Sequence, residues 1–197
     1  MAEELQETTQ QQNTKPERKP NNRNGNRPRR NDRDRRAPRE ADEFDKRTID
    51  IRTVQKVIAG GRTMSMSALC AVGDKKGRVG IGLGKAKETA NAVEKAFTEA
   101  KRTMINVPIV NGTIPHEIVA KFGASSIKLI PAKEGTGIIA GGAARPILEL
   151  AGIKNITAKN HGSNNKINTV RATFKALQSL QTAEQIAAAR GKNVEDL

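Results

Sequence analysis

Six residues set most of what this chain can become. In the segment VGDKKGRVGIGLGKA, residues 72–86, Val79, Ile81 and Leu83 alternate with Gly80, Gly82 and Gly84. Successive side chains of a strand point to opposite faces, so one face would be apolar and the other bare backbone. Glycine weakens a strand interior, and a repeated glycine face means that another body approaches the backbone closely. Two bodies fit: a packed helix, or the phosphate backbone of a nucleic acid. Lys75, Lys76, Arg78, Lys85 and Lys87 surround the segment and keep the second option open.

Charge favours a polyanionic partner. The 197 residues include 35 basic and 21 acidic ones, a net charge of +14. Nucleic acid is the first candidate and an anionic membrane a weaker one. No apolar run approaches the roughly 18 residues of a membrane span, and MAEELQETTQQQ lacks the basic-then-apolar pattern of a signal peptide. The single cysteine, Cys70, lies in an apolar run and reads as a small buried hydrophobe in a reducing cytosol. There is no Trp or Tyr and only four Phe. That argues against sheets and grooves that stack bases on aromatic rings and points to contacts with phosphates and with shape.

Residues 1–45 read as a disordered polar and basic tail, rich in Gln, Asn, Arg and Pro and poor in large apolar residues. The tail nevertheless carries 11 basic and 10 acidic residues, whereas residues 46–197 carry 24 and 11. The folded part therefore holds the electrostatic signal.

Periodicity predicts strands over 48–57, 62–72 and 78–84, with turns at Gly60-Gly61 and around Lys75-Lys76. A helix follows over about 86–104, with Val93, Phe97, Ala100 and Met104 as its core stripe and Lys95, Lys101 and Arg102 on the other side. After a turn at Asn111-Gly112, strands are expected over 117–122 and 126–130. A short helix over 146–151, a strand over 155–158 and a polar loop over 161–165 come next. A helix over 168–180 burying Val170, Phe174 and Leu177 follows. Thr182 and Gln185 make a capping box for a last helix ending at Arg190-Gly191. The domains read as 46–110 and 111–197, both of mixed α+β type.

Catalytic motifs fail on inspection. GLGKA lacks the glycine five residues before its Gly-Lys pair, where Val79 stands, and the Ser or Thr after it, where Ala86 stands. Gly135-x-Gly137-x-x-Ala140 resembles a dinucleotide fingerprint, but no acidic residue lies about 20 positions on. A nucleotide-binding enzyme using the Gly135–Gly142 loop is the alternative reading. His116 and His161 are far apart, and no cluster has metal-ligand spacing. No catalytic residue, metal, cofactor or small-molecule substrate is expected. The basic residues are more specific: Lys56 and Arg62 flank the Gly60-Gly61 turn, Lys75, Lys76 and Arg78 the second turn, and Lys85 and Lys87 the first helix start. In a three-stranded sheet under one helix, these tips and the helix N-terminus can converge on one edge and take phosphate.

Five blocks in order carry a resemblance: VIAGGRTMSMSALCAVGD, GRVGIGLGKAKE, INVPIVNGTIPHEIV, GTGIIAGGAARPILELAGI and NNKINTVRATFKAL. Over about residues 46–192 the chain resembles the bacterial small-subunit ribosomal protein S5 family. The resemblance implies an α+β protein. A double-stranded-RNA-binding-like β-β-β-α domain is followed by a small α/β two-layer sandwich. It implies a cytoplasmic, non-enzymatic constituent of the small subunit that binds 16S rRNA. The implied neighbours are the proteins S4 and S8 and the mRNA entry path, with influence on decoding accuracy. A response to spectinomycin is associated in the family with the first hairpin loop, here Lys56 to Arg62. Lys128, Lys159, Lys166 and Arg171 would add RNA contacts from the second domain. Ile81 and Leu83 stand where the family often has aromatics, and Lys166 where proline is expected.

Overall fold

Alternation of apolar and small or polar residues produces one long antiparallel ribbon. The computed structural model describes residues 44–193, which belong to a single compact unit. The tail expected over 1–45 lies outside them, apart from Phe44 and Asp45. Strand β1 (Asp45–Ile58) pairs with β2 (Gly61–Gly73), and β2 with β3 (Arg78–Ala86), all antiparallel. A two-residue strand, β4 (Ile105–Asn106), joins the outer edge at Arg78 and Val79. Because Ala86 pairs with Met66, the β1–β2 ribbon runs past the end of β3 as a projecting arm.

The glycine face belongs to a helix. Helix α1 (Thr89–Arg102) lies on Gly80, Gly82 and Gly84. A Cβ on any of them would stand 2.1 Å from a helix carbonyl oxygen, that of Ala100, Ala96 and Ala92 respectively. This corrects the expected stripe of Val93, Phe97, Ala100 and Met104. The buried line of α1 is Ala92, Ala96 and Ala100, while Val93 and Phe97 pack half-buried beside it. Small residues face the sheet because only they let two backbones come this close. The helix also starts three residues later than periodicity suggested, since Lys85 and Ala86 still belong to β3. Beneath α1, Cys70 is fully buried and its thiol is pushed up by that burial.

A bulge re-aims the edge of this sheet. The register shifts between Thr48 and Asp50, inserting one extra residue in β1. Thr48 therefore faces the α1 side, where its hydroxyl takes the Cys70 Sγ–H at 3.7 Å. Asp50, opposite Leu69, turns to the other face.

The second sheet has the order β5-β6-β8-β7, from β5 (Ile118–Phe122), β6 (Ser125–Pro131), β7 (Ile138–Ile139) and β8 (Ile156–Gly162). Only β7 and β8 run parallel. Strand β8 reaches Gly162, so His161 and Gly162 are strand residues rather than part of the polar loop predicted there. The glycine-rich stretch likewise holds β7, which carries too few residues to show a period. Helix α2 (Arg145–Ala151) follows β7, and Gly152 caps it in the left-handed conformation. Helix α3 (Lys166–Gln178) starts two residues before the predicted 168, because Asn165 caps it through Ile167 N–H. It buries Val170 and Leu177 but leaves Phe174 half-exposed. Helix α4 (Ala183–Arg190) begins on the expected Thr182–Gln185 capping box.

Helix α2 explains how the two sheets share a core. Ile147, Leu148, Leu150 and Ala151 are all buried, because one side of α2 meets the second sheet and the other meets β2 and β3. Leu69, Ala71 and Val79 thereby join Ile127, Leu129 and Ile156 in one apolar cluster. Each of the three large α2 side chains contributes about 2 kcal/mol of burial.

Gly82→Ala is expected to lower stability by about 3 kcal/mol, since the obstacle is a helix carbonyl with no room to yield. Gly141→Ala, whose Cβ meets nothing within 4 Å, is expected to change it by less than about 0.5 kcal/mol. Urea denaturation of the two variants measures both.

Candidate nucleic-acid interface

The predicted site residues do not converge. Consecutive antiparallel turns fall at opposite ends of a sheet, and the register separates them accordingly. Lys56, Gly60, Gly61 and Arg62 form the tip of the projecting arm. Lys85 and Lys87 stand at the base of the same end, where β3 gives way to α1. Lys75, Lys76 and Arg78 lie at the other end, on the β2–β3 turn.

At the arm's base the chain forms an open cleft of about 870 Å³ between the β3 edge and α1. Lys85, Lys87, Lys95 and Arg102 line it, together with Ser65, Asn91, Glu94 and Glu99. Periodicity places Lys95 and Arg102 only on the side of the helix opposite its core stripe. Their spacing of seven residues puts them on one helix face, which is the signal that pairs them with Lys85 and Lys87. The first turn of α1 contains no acidic side chain, and no side chain caps it. The N-cap residue is Glu88, whose carboxylate accepts from Asn91 Nδ2 at 2.8 Å and offsets part of the positive potential that the helix end adds to the lysines.

The opposite turn is a structural joint. Lys75 N–H donates to Leu150 O and Gly77 N–H to Ala151 O, both at 3.0 Å. A Cβ on Gly152 would stand 2.2 Å from Lys75 O, and one on Gly73 would stand 2.3 Å from Leu150 O. The basic side chains of this turn have local partners. Lys75 pairs with Asp45. Arg78 donates to Asp74 at 2.8 Å and lies over the Phe44 ring at 5.4 Å. Burial opposes ionisation of Asp74, but hydrogen bonds from the Arg78 side chain and from Lys76 and Arg78 N–H outweigh it and hold the carboxyl below its ordinary range.

Two further ion pairs fasten β1 across the joint. Asp50, re-aimed by the bulge, accepts from Lys166 Nζ at 2.7 Å and from Arg52 at 2.5 Å. Lys166, the first residue of α3, is thus an anchor to β1. The Lys166 bond lowers the Asp50 carboxyl most, with Arg52 adding to it against burial. Glu149 accepts from Arg145 at 2.8 Å and also pairs with Arg47. The Arg145 bond, opposed by burial and aided by the Arg47 charge, lowers its carboxyl too.

The remaining predicted residues lie elsewhere. Lys128 and Lys159 are neighbours on the outer face of the second sheet. Arg171, on α3, lies over the Phe122 ring at 5.3 Å. The Gly135–Gly142 loop is tied back by Gly137 N–H to Asn155 Oδ1 at 3.0 Å and by Ile156 N–H to Gly137 O at 3.0 Å. His116 Nε2 accepts from the distant Gln181 N–H at 3.3 Å, just before α4. Among the described residues no His, Cys, Asp or Glu group could hold a metal ion. No described helix is long and apolar enough to cross a membrane.

The site thus belongs to a β-β-β-α unit with basic residues at its arm and helix start, joined to a second α+β sheet. Residues 44–108 match the family described as Ribosomal protein S5, N-terminal domain, and residues 120–190 match Ribosomal protein S5, C-terminal domain. The chain is 51% identical over 149 residues to the small ribosomal subunit protein uS5 of Cupriavidus pinatubonensis, which covers 76% of this chain and 87% of that relative. The chain belongs to the bacterial small-subunit ribosomal protein uS5 family. It is therefore a cytoplasmic component of the small subunit, acting in translation and not as an enzyme, which removes the nucleotide-enzyme alternative at Gly135–Gly142.

The ion pairs set a pH dependence with a definite sign. Asp50, Asp74 and Glu149 have folded values below their ordinary ones. Their stabilisation is present above the ordinary carboxylate range, near pH 4, and is lost as pH falls through the lower folded values. Urea stability is expected to drop between about pH 4 and pH 2, and Asp50→Asn to make that drop smaller. An identical pH profile for the variant would remove Asp50 from the joint.

Proposed function

We propose that this protein holds 16S rRNA by its shape and phosphates, using the β1–β2 arm together with the cleft at the start of α1. The observation that carries the reading is that Lys56 and Arg62 share one end of the sheet with Lys85, Lys87 and the uncapped first turn of α1. A ribbon and a helix end on one side can bracket an RNA backbone, while the lack of Trp and Tyr and the presence of only four Phe leave little for base stacking. Lys76, whose side chain is exposed, adds a phosphate contact at the far end, with Lys75 and Arg78 serving the joint first. Lys128, Lys159 and Arg171 extend the RNA contacts over the second sheet and α3, and Lys166 does so beside its bond to Asp50. The ribosomal neighbours are S4 and S8, with the mRNA entry path close by. The protein thereby supports decoding accuracy, and the arm tip from Lys56 to Arg62 bears on the spectinomycin response. The family resemblance supports these finer assignments.

Replacing Lys56, Arg62, Lys85 and Lys87 with Gln is expected to flatten the dependence of log binding constant on log salt by up to about four counterions. An unchanged slope would remove the arm and cleft from the interface. Crosslinking in cells with sequencing of the attached RNA is expected to concentrate on 16S rRNA, and crosslinks scattered over messengers would overturn the reading.

A further inference from the structure

The outer face of the second sheet carries a charge arrangement that folding alone disfavours. Helices α2 and α3 serve the inner face, where Ala120, Ile127, Leu129, Ile156 and Ala158 are buried. The outward residues stand in three rungs, of which Ile130–Thr157–Ile139 is uncharged and the other two carry the charge. One is Val119–Lys128–Lys159 and the next is Lys121–Ser126–His161, each read directly from the strand register. Lys128 therefore stands opposite Lys159, and like charges directly opposite on a sheet are destabilising. Lys121 and His161 occupy the adjoining rung, two residues and about 6.8 Å along the strands. The acidic group that meets this set is Glu117, 3.3 Å from Lys128 in an exposed pair, which offsets little of the repulsion.

We propose that this face is a second phosphate-binding surface, on which an RNA backbone crosses β6 and β8 with phosphates seated at the Lys128–Lys159 and Lys121–His161 positions. An anion placed between Lys128 and Lys159 turns their mutual repulsion into shared attraction. RNA is favoured over an acidic protein segment by composition. The face has no aromatic or Met anchor of the kind that protein interfaces bury at their centre, and it is rich in Lys, which such interfaces deplete. Its apolar members are Val119 and, on either side of Thr157 in the next rung, Ile130 and Ile139, all exposed aliphatics and none aromatic. The surface adds Lys121 and His161 to the contacts proposed above, and it rests on the reading that this protein binds rRNA.

The test uses the full chain assembled into small subunits otherwise lacking it. An iron chelate tethered at Ser126→Cys, with native Cys70 buried, is expected to cleave 16S rRNA nearby, as is one tethered at Lys56→Cys on the arm. The variant carrying Lys121→Gln, Lys128→Gln and Lys159→Gln is expected to lose about three counterions from its salt dependence, with a urea midpoint no lower than that of the parent chain, since the Lys128–Lys159 repulsion is relieved. Arginine at the three positions is expected to restore the slope. Cleavage from position 56 but not from 126, or an unaltered slope, overturns the second surface alone. Crosslinks from position 126 to a ribosomal protein in place of RNA do the same. Cleavage from neither position overturns the rRNA reading as well.

Discussion

Three carbonyl oxygens of α1 occupy the space where side chains on β3 would otherwise project. Gly80, Gly82 and Gly84 make that space, and Ala92, Ala96 and Ala100 bring the helix down into it. The consequence reaches past the local contact. A helix this close needs no large side chains between the layers, so the buried cluster beneath it is Ala68, Cys70, Ala92 and Ala96. The large apolar residues of the first sheet, Leu69, Val79 and Ile81, face the other way, toward α2 and α3. The sheet is thus covered on both faces near the β2–β3 turn and left free along the arm.

The same device recurs where the two sheets meet. Gly73 and Gly152 let the β2–β3 turn and the end of α2 approach until backbone bonds to backbone. That contact explains why several basic residues near the turn are engaged with carboxylates. Asp74, Asp45, Glu149 and Asp50 each hold a cation, and two of the resulting links cross from β1 to α2 and α3. The single extra residue in β1 is essential to one of them, because without it Asp50 would share the α1 face with Thr48.

Much of this was legible in the residues. The alternation of Val79, Ile81 and Leu83 with glycines declared a strand with one bare face, and Thr182 with Gln185 declared the start of α4. What covers the bare face was not legible, since a strand pattern records close approach without recording the approaching body. The helix stripe was misread for a related reason: periodicity weights large apolar residues, and here the deepest positions are the smallest. Seven basic residues near turns looked like one patch because sequence marks turns without saying which end of the sheet each occupies. Strand order and register supply that, and they sort Lys75 and Arg78 into a joint and Lys85 and Lys87 into a cleft. Strand β7, two residues inside a glycine run, had no period to find.

The rigidity of the joint bears directly on how such a protein could recognise RNA. Without aromatic stacking, discrimination depends on whether separated cations match the path of a folded backbone. Cations on a flexible linkage would adapt to any polyanion and discriminate poorly. Here the arm and the outer face of the second sheet belong to different sheets, and the angle between those sheets is held by glycine-to-backbone contact and by crossed ion pairs. The carboxylates of these pairs are largely covered, Asp50 being 13% and Glu149 27% exposed, so water screens them less than it would a surface pair. The pairs also bear on orientation, because several short links around one backbone joint oppose a turn of one sheet against the other. In the proposed reading, the residues that fix the sheets orient the residues that face outward, and the glycines allow the first to be built.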